Sequence, residues 1–280
     1  EIYTLSLHDA LPISKCDVLG RRENGYHDVR MVMQSIYLYD EVKIAKKKEP
    51  GITLTTNLKF LPTGDGNIAY KAAQLLMDEF DLKEGVQITL NKHIPVAAGL
   101  AGGSSNAAAV LFGMNRLFGL RLTQQELMDR GVKLGADVPY CIMRGTVLAE
   151  GIGEELSVLP AMPKCTVLIA KPPISVSTKM VYEALDSKEI VEHPDIDGIL
   201  EGLRKGDLHK VADSMGNVLE DVTIPMHPVI ADIKQVMQDC GAIGAMMSGS
   251  GPTVFGLFEN RASAREAQRM IRDKGLTRQA

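Results

Sequence analysis

Pro95-Val96-Ala97-Ala98-Gly99-Leu100-Ala101-Gly102-Gly103-Ser104-Ser105-Asn106 is the stretch on which the reading of the chain turns. It follows Val86, Ile88 and Leu90, an alternation that reads as a strand, and it opens an apolar run over residues 105–118 that reads as a helix. Glycines let backbone approach a ligand closely, and N–H groups at a helix start favour an anion. The hydroxyls of Ser104 and Ser105 are suited to capping the helix, touching phosphate oxygens or holding a magnesium ion. A plain strand-to-helix loop with a serine cap does not call for six small residues around paired serines, so phosphate binding is the expectation.

Two other phosphate motifs are excluded. A Walker loop needs GKS or GKT after its glycines, and neither triplet occurs in the chain. A dinucleotide GxGxxG needs a βαβ unit with an acidic ribose ligand near the end of the next strand, and the spacing does not fit.

On either side of this loop, strands and helices alternate. Residues 30–39 and 41–45 read as strands, with Lys46-Lys47-Lys48-Glu49-Pro50-Gly51 as a solvated hairpin tip and β-branched residues resuming over 51–56. Asp65 and Asn67 offer caps for a helix bearing Ile68, Ala72, Leu75, Leu76 and Phe80 on one face. Thr123 and Glu126 form a capping box for a helix that stops at Gly135, and Ser263 with Glu266 forms another for the last helix. Strands are expected over 146–149, 165–170, 242–247 and 253–258. Helices are expected over 178–185, 195–204, 207–219 and 228–239. The Gly151-Ile152-Gly153 turn with Pro160 and Pro163 marks a domain seam, dividing the chain into residues 15–158 and 159–280. The fold class is α+β in two halves.

Composition narrows the function classes. A chain of 280 residues can bury roughly three-quarters of its unfolded surface. Lys and Arg number 31 against 35 acids, a net charge of -4, which argues against a dedicated nucleic-acid binder. Trp is absent and aromatics make up 5%, too few for a single-strand stacking platform. No apolar run approaches the length of a membrane span. Cys16, Cys141, Cys165 and Cys240 lie far apart with no CxxC pair, and read as small buried hydrophobes in a reducing cytoplasm. His93, His193, His209 and His227 receive no role, and Met246-Met247 reads as core packing.

The Pro-x-x-x-Gly-Leu-x-Gly-Gly-Ser-Ser string of residues 95–105 resembles the signature loop of the GHMP small-molecule kinases. Gly20-Arg21-Arg22-Glu23-Asn24-Gly25-Tyr26-His27 is similar to a GRRxDGYH segment in the branch of that family acting on a cytidine-diphosphate-linked methylerythritol. Leu134-Gly135-Ala136-Asp137-Val138-Pro139 resembles its LGADVP segment. Met247-Ser248-Gly249-Ser250-Gly251-Pro252-Thr253 resembles its C-terminal glycine-rich motif, and residues 171–178 its substrate loop. The match runs in order from Asp17 to the C-terminus.

The resemblance implies a GHMP kinase fold with an N-terminal ribosomal-protein-S5-like α/β domain and a C-terminal ferredoxin-like α+β domain. It implies transfer of the γ-phosphate of ATP, with Mg2+, to the 2-hydroxyl of the cytidyl-linked alcohol in non-mevalonate isoprenoid synthesis. Residues 95–105 would carry the triphosphate and Asp137 would be the base that orients or deprotonates the hydroxyl. Tyr26 would stack on cytosine while His27 bonds its polar edge, with Thr178 and Tyr182 beside the cytidine. Tyr182 is equally readable as a helix-face core residue. Asn67 and Lys92 either border the adenine or serve as a helix cap and a solvated strand end. Magnesium ligands are not named by the pattern. The implied protein is cytoplasmic, a monomer or homodimer, working on a small molecule with no nucleic acid or membrane partner. Another GHMP kinase, acting on mevalonate-like, homoserine-like or sugar substrates, is the alternative, although such substrates have no base to stack on Tyr26. A second alternative is a catalytically impaired nucleotide-binding protein.

That last alternative arises at the start of the chain. Residues 1–14, EIYTLSLHDALPIS, lack the positive n-region of a signal peptide and resemble a translated sequencing-adapter read joined to a truncated gene. The family begins with an Ala-Lys-Ile-Asn-Leu-like strand whose Lys pairs with the catalytic Asp. Counting back without gaps from Gly20 puts that Lys at Leu11 and its Asn at Ile13. Lys15 lies four residues further on, about 13 Å along a strand, and cannot substitute. The chain is therefore expected to bind nucleotide but to phosphorylate poorly. Leu11→Lys is expected to raise turnover sharply in an ADP-release assay; an unchanged rate would contradict the assignment.

Overall fold

The computed structural model describes residues 2–6, 13–23, 25–188 and 193–280. In chain order, β1 (Ile2–Ser6), β2 (Ile13–Arg21), β3 (His27–Gln34), β4 (Glu41–Lys47) and β5 (Ile52–Thr56) precede α1 (Ile68–Glu79), β6 (Gly85–Asn91), α2 (Gly102–Leu117), α3 (Gln124–Gly131) and α4 (Val138–Met143). Then come β7 (Thr146–Glu150), β8 (Glu155–Val158), β9 (Thr166–Ala170), α5 (Thr178–Leu185), α6 (Ile196–Lys205) and α7 (Leu208–Asp213). β10 (Gly216–Asn217), α8 (Glu220–Met226), α9 (Val229–Asp239), β11 (Gly244–Met247), β12 (Val254–Phe258) and α10 (Arg261–Asp273) complete the chain. Strands and helices are mixed throughout, the α+β class expected. Position 11 lies outside the described residues.

Two compact units are present, and neither is contiguous in sequence. The first comprises the described residues of Glu1–Ala10 with Ser35–Val96 and Ala101–Arg144. Its sheet has the order β1-β4-β6-β5. The expected hairpin around the triple lysine does not form, because β6 lies between β4 and β5. It pairs antiparallel with β4 (Ile44↔Ile88) and parallel with β5 (Leu54↔Ile88). A parallel pair needs a crossover connection, and α1 supplies it. The lysines are not all at a solvated tip: Lys46 reaches Glu84 at 3.0 Å and lies 4.6 Å from the Phe118 ring, and Lys47 donates to Thr53 at 2.7 Å.

Burial follows the periodicities read from sequence. Val42, Ile44, Ile88 and Leu90 are buried at every second position of their strands. Ala72 and Leu76 of α1 and the run Ala107, Ala108 and Ala109 of α2 fill the same core, and these small side chains let the two helices pack closely. Asn67 caps α1 by accepting from the Ala69 N–H at 3.0 Å. The Thr123–Glu126 capping box is present, but α3 ends at Gly131, four residues short of the Gly135 stop.

The second unit comprises the described residues of Leu11–Gln34 with Ala97–Leu100 and Gly145–Ala280. It holds a sheet of order β10-β2-β3-β7-β8 and an antiparallel sheet β11-β12-β9. β3 begins at His27, three residues before the expected strand, and ends at Gln34. The Gly151–Gly153 turn joins β7 to β8 within one sheet. The helix expected over 207–219 stops at Asp213, because Gly216 and Asn217 pair in parallel with Lys15 and Cys16. α8, with Pro225 inside it, was not expected. α10 is capped by Asn260, which accepts from the Ser263 N–H at 3.0 Å, so Ser263 lies in the first turn and is not the cap.

One cluster here unites Val32, Leu148, Ile199 and Leu203, and another Met246, Phe255 and Leu257. Met246 and Met247 are core residues, as expected. Cys16 and Cys141 are buried, and burial with the neighbouring Asp17 charge pushes the Cys16 thiol up to about 12 despite a hydrogen bond with Tyr182. No helix among the described residues is long and apolar enough to cross a membrane.

Candidate active site

The glycine-rich stretch takes a conformation that its composition makes affordable. Ala97, Gly99 and Ala101 have φ of 51, 67 and 47°, while Ala98 and Leu100 between them do not have positive φ. Successive N–H groups in such alternating handedness converge into an anion-binding concavity. Holding alanine in the left-handed region costs of order 1–2 kcal/mol per residue, a strain that tends to collect at functional sites. α2 then begins at Gly102, three residues earlier than expected, and its N-cap Ala101 supplies no side-chain acceptor. The orphan N–H groups of the first turn are thus left for another partner. The plain alternative of a serine-capped helix is not what forms: Ser104 and Ser105 lie inside the first turn, Ser105 is buried, and its N–H bonds to Ala101 O at 2.9 Å.

Gly102 has no room for a side chain. A Cβ there would lie 2.9 Å from Ile94 Cγ2 and 3.3 Å from Lys92 Nζ. Lys92 is therefore not a solvated strand end. Its side chain is 6% exposed and ion-paired with the 1%-exposed Asp40. Asn106 completes this cluster, which the sequence reading missed, and Asn67 is occupied as the cap of α1 and as a donor to Pro62 O at 2.8 Å.

Asp137 stands at the N-cap of the short α4, in the same unit. Its side chain makes no capping hydrogen bond to that helix. The carboxyl is half-buried, and burial pushes it above the ordinary aspartate range. The preceding loop lies against the start of α2: a Cβ on Gly135 would be 4.0 Å from Ser104 Oγ.

The second unit contributes three constellations. The β2–β3 hairpin turn is closed by Arg22 N–H to Tyr26 O at 2.7 Å, with Gly25 at φ 85°, and leaves Tyr26 60% exposed. His27, the first residue of β3, packs its ring on Tyr182 with centroids 4.8 Å apart, and its Nε2 meets Asp186 at 2.6 Å. Arg21 also pairs with Asp186, at 3.2 Å. Tyr182 is thus neither wholly core nor wholly surface. Thr178 starts α5 and its hydroxyl meets that of Ser250 at 2.8 Å.

The third constellation joins the two glycine-rich segments. Ser248 Oγ donates to Gly99 O at 2.8 Å, and a Cβ on Gly99 would come within 2.7 Å of Ser248 O and 2.9 Å of Gly251 O. Asn217, which the sequence reading did not single out, holds the loop by donating to Met247 O and Gly249 O at 2.9 and 2.8 Å. Asp186 and Asn217 gave no sequence signal, since each acts on residues far away in the chain. Among the described residues, no group of three or more His, Cys, Asp or Glu side chains is arranged to hold a metal.

Comparison with known proteins identifies the family. The family model "GHMP kinases N terminal domain" matches residues 67–145, and "GHMP kinases C terminal" matches residues 199–276. A curated 4-diphosphocytidyl-2-C-methyl-D-erythritol kinase of Lachnospira eligens is 58% identical over 263 residues, 94% of this chain and 91% of that protein. One of the same name from Lachnoclostridium phytofermentans is 56% identical over 90% of this chain and 86% of its own. A crystal structure of 4-(cytidine 5'-diphospho)-2C-methyl-D-erythritol kinase superimposes with a TM-score of 0.82 at 30% identity, covering 97% of this chain and 96% of that one. The chain belongs to the GHMP kinase family, in the branch of the 4-diphosphocytidyl-2-C-methyl-D-erythritol kinases.

Proposed function

We propose that the chain transfers the γ-phosphate of ATP to the 2-hydroxyl of 4-diphosphocytidyl-2-C-methyl-D-erythritol, a cytoplasmic step toward isoprenoid precursors. The observation that carries this reading is the alternating backbone of residues 97–101 running into an N-terminus of α2 with no side-chain cap. Such a cradle suits a triphosphate without net positive charge, which fits a chain of charge -4. Phosphoryl transfer asks the protein mainly for positioning and charge stabilisation. In this scheme residues 95–105 hold the nucleotide, and Asp137 accepts or orients the hydroxyl proton. Tyr26, His27, Thr178 and Tyr182 hold the cytidyl end. Magnesium bound with the nucleotide would supply charge neutralisation on its phosphate oxygens.

An ADP-release assay with the cytidyl-linked alcohol tests the reading. Turnover is expected with that acceptor and not with mevalonate or homoserine, and cytidine diphosphate alone is expected to compete with the acceptor. Turnover on mevalonate or homoserine would point to another GHMP kinase. Binding of ATP with no turnover on any acceptor, even after Leu11→Lys, would leave a nucleotide-binding module.

A further inference from the structure

The buried ion cluster of the first unit touches the glycine-rich loop at both of its ends. Asp40 Oδ1 accepts from the N–H groups of His93 and Ile94 at 2.7 and 2.9 Å, immediately before the loop. Its Oδ2 accepts from Asn106 Nδ2 at 2.8 Å and from the Lys92 ammonium. Lys92 in turn donates to Asn106 Oδ1 at 2.9 Å and to Gly102 O at 3.4 Å, where the loop becomes helix. Gly102 and Asn106 are four residues apart and share one face of α2. One carboxylate, one ammonium and one amide therefore tie residues 93–94 to residues 102 and 106.

Such a cluster is an expensive way to fill a core. Desolvating two charges costs several kcal/mol per ion, and well-packed apolar residues in their place are often as stable or more so. Burial pulls the Lys92 ammonium below its ordinary range even though Asp40 opposes the shift. What apolar side chains lack is direction. Two directed contacts to residues 93–94 and three to Gly102 and Asn106 fix where the loop leaves β6 and where it enters α2, and an anion site depends on that geometry to keep its N–H groups converged.

We propose that Asp40, Lys92 and Asn106 form a positioning device for the nucleotide, clamping the entry and exit of the 95–101 loop without touching the nucleotide themselves. This rests on the reading of that loop as the ATP site. The test is direct calorimetric titration of the purified chain with ATP and, separately, with cytidine diphosphate, so that turnover is not required. Lys92→Met is expected to weaken ATP binding by about tenfold or more, and Asn106→Ala by about 2–10-fold for the loss of its bridging bonds. Cytidine diphosphate affinity is expected to stay within about twofold of the parent, because a clamp on the phosphate loop has no call on the base site. Variants that melt at lower temperature but bind ATP as tightly as the parent would show the cluster to be purely structural and would overturn the proposal. Equal weakening of both ligands would overturn it too. Should Lys92→Met fail to fold, Asn106→Ala, which keeps the ion pair, decides by the same criteria. A parent chain that binds cytidine diphosphate but no ATP overturns the nucleotide reading and the clamp with it.

Discussion

Asp137→Asn is expected to lower phosphoryl transfer by about 10²–10⁴-fold, the usual cost of removing a positioned acid–base group. ATP affinity should be nearly unchanged, since the amide keeps the shape of the carboxyl and the nucleotide is assigned to other residues. The measurement is best made beside Leu11→Lys, because residues that act as a unit are strongly non-additive. If the family's Lys supports the Asp, the loss from Asp137→Asn is larger with Lys at 11 than without it. The pH dependence supplies a second readout. Burial holds the Asp137 carboxyl above its ordinary range, so the acid limb of kcat/KM should lie above that of an exposed aspartate and should vanish in the variant. Stability moves the opposite way. A carboxyl whose folded pKa is raised stabilises the fold while protonated, and that contribution is lost as pH rises through the folded value. Burial thus penalises the ionised carboxylate, a cost that Asn does not carry, so the melting temperature of Asp137→Asn relative to the parent should rise as pH is raised. A variant that is inactive and also less stable would mark Asp137 as structural.

The parts of this site that were legible in the sequence are those written in consecutive residues. The 95–106 string, the 134–139 segment and the Tyr26-His27 turn each announce themselves by glycines and polar groups within a few positions, and each occupies the loop or element edge expected of it. Errors arose where two local signals competed. Glycine is a poor helix former, so Gly102 and Gly103 suggested a helix starting at Ser105, yet the left-handed Ala101 marks the true start. Asn260 and Ser263 are both good caps, and the earlier one took the role. What stayed hidden is non-local. The hairpin expected at residues 46–51 fails because β6, more than thirty residues away, inserts beside β4. Asp40, Lys92 and Asn106 have no shared spacing, and only the folded sheet brings them together. Asp186 likewise meets His27 across 159 positions.

Gly99→Ala is the second large effect, and it separates crowding from backbone strain. Gly99 has φ 67°, which for alanine costs of order 1–2 kcal/mol. Its new Cβ would also stand 2.7 Å from Ser248 O and 2.9 Å from Gly251 O, both backbone atoms that cannot swing aside as a side chain would. Overpacking of this kind adds about 1–3 kcal/mol, so a total near 2–5 kcal/mol is expected. Gly119→Ala is the control: φ there is 61°, and a Cβ would meet nothing within 4 Å, so only the strain applies. The two variants should differ in thermal melting by several degrees. They should also differ in function. Forcing Gly99 from Ser248 breaks the 2.8 Å bond from Ser248 Oγ to Gly99 O and reorients the N–H groups of residues 97–101, so ATP affinity should fall in Gly99→Ala and hold in Gly119→Ala. Equal melting and equal ATP affinity in the two variants would mean that the loop tolerates the extra methyl, and that its contact with the Ser248–Thr253 segment does not set the nucleotide site. A fall confined to Gly99→Ala ties the C-terminal glycine motif to nucleotide binding through its contacts with Gly99.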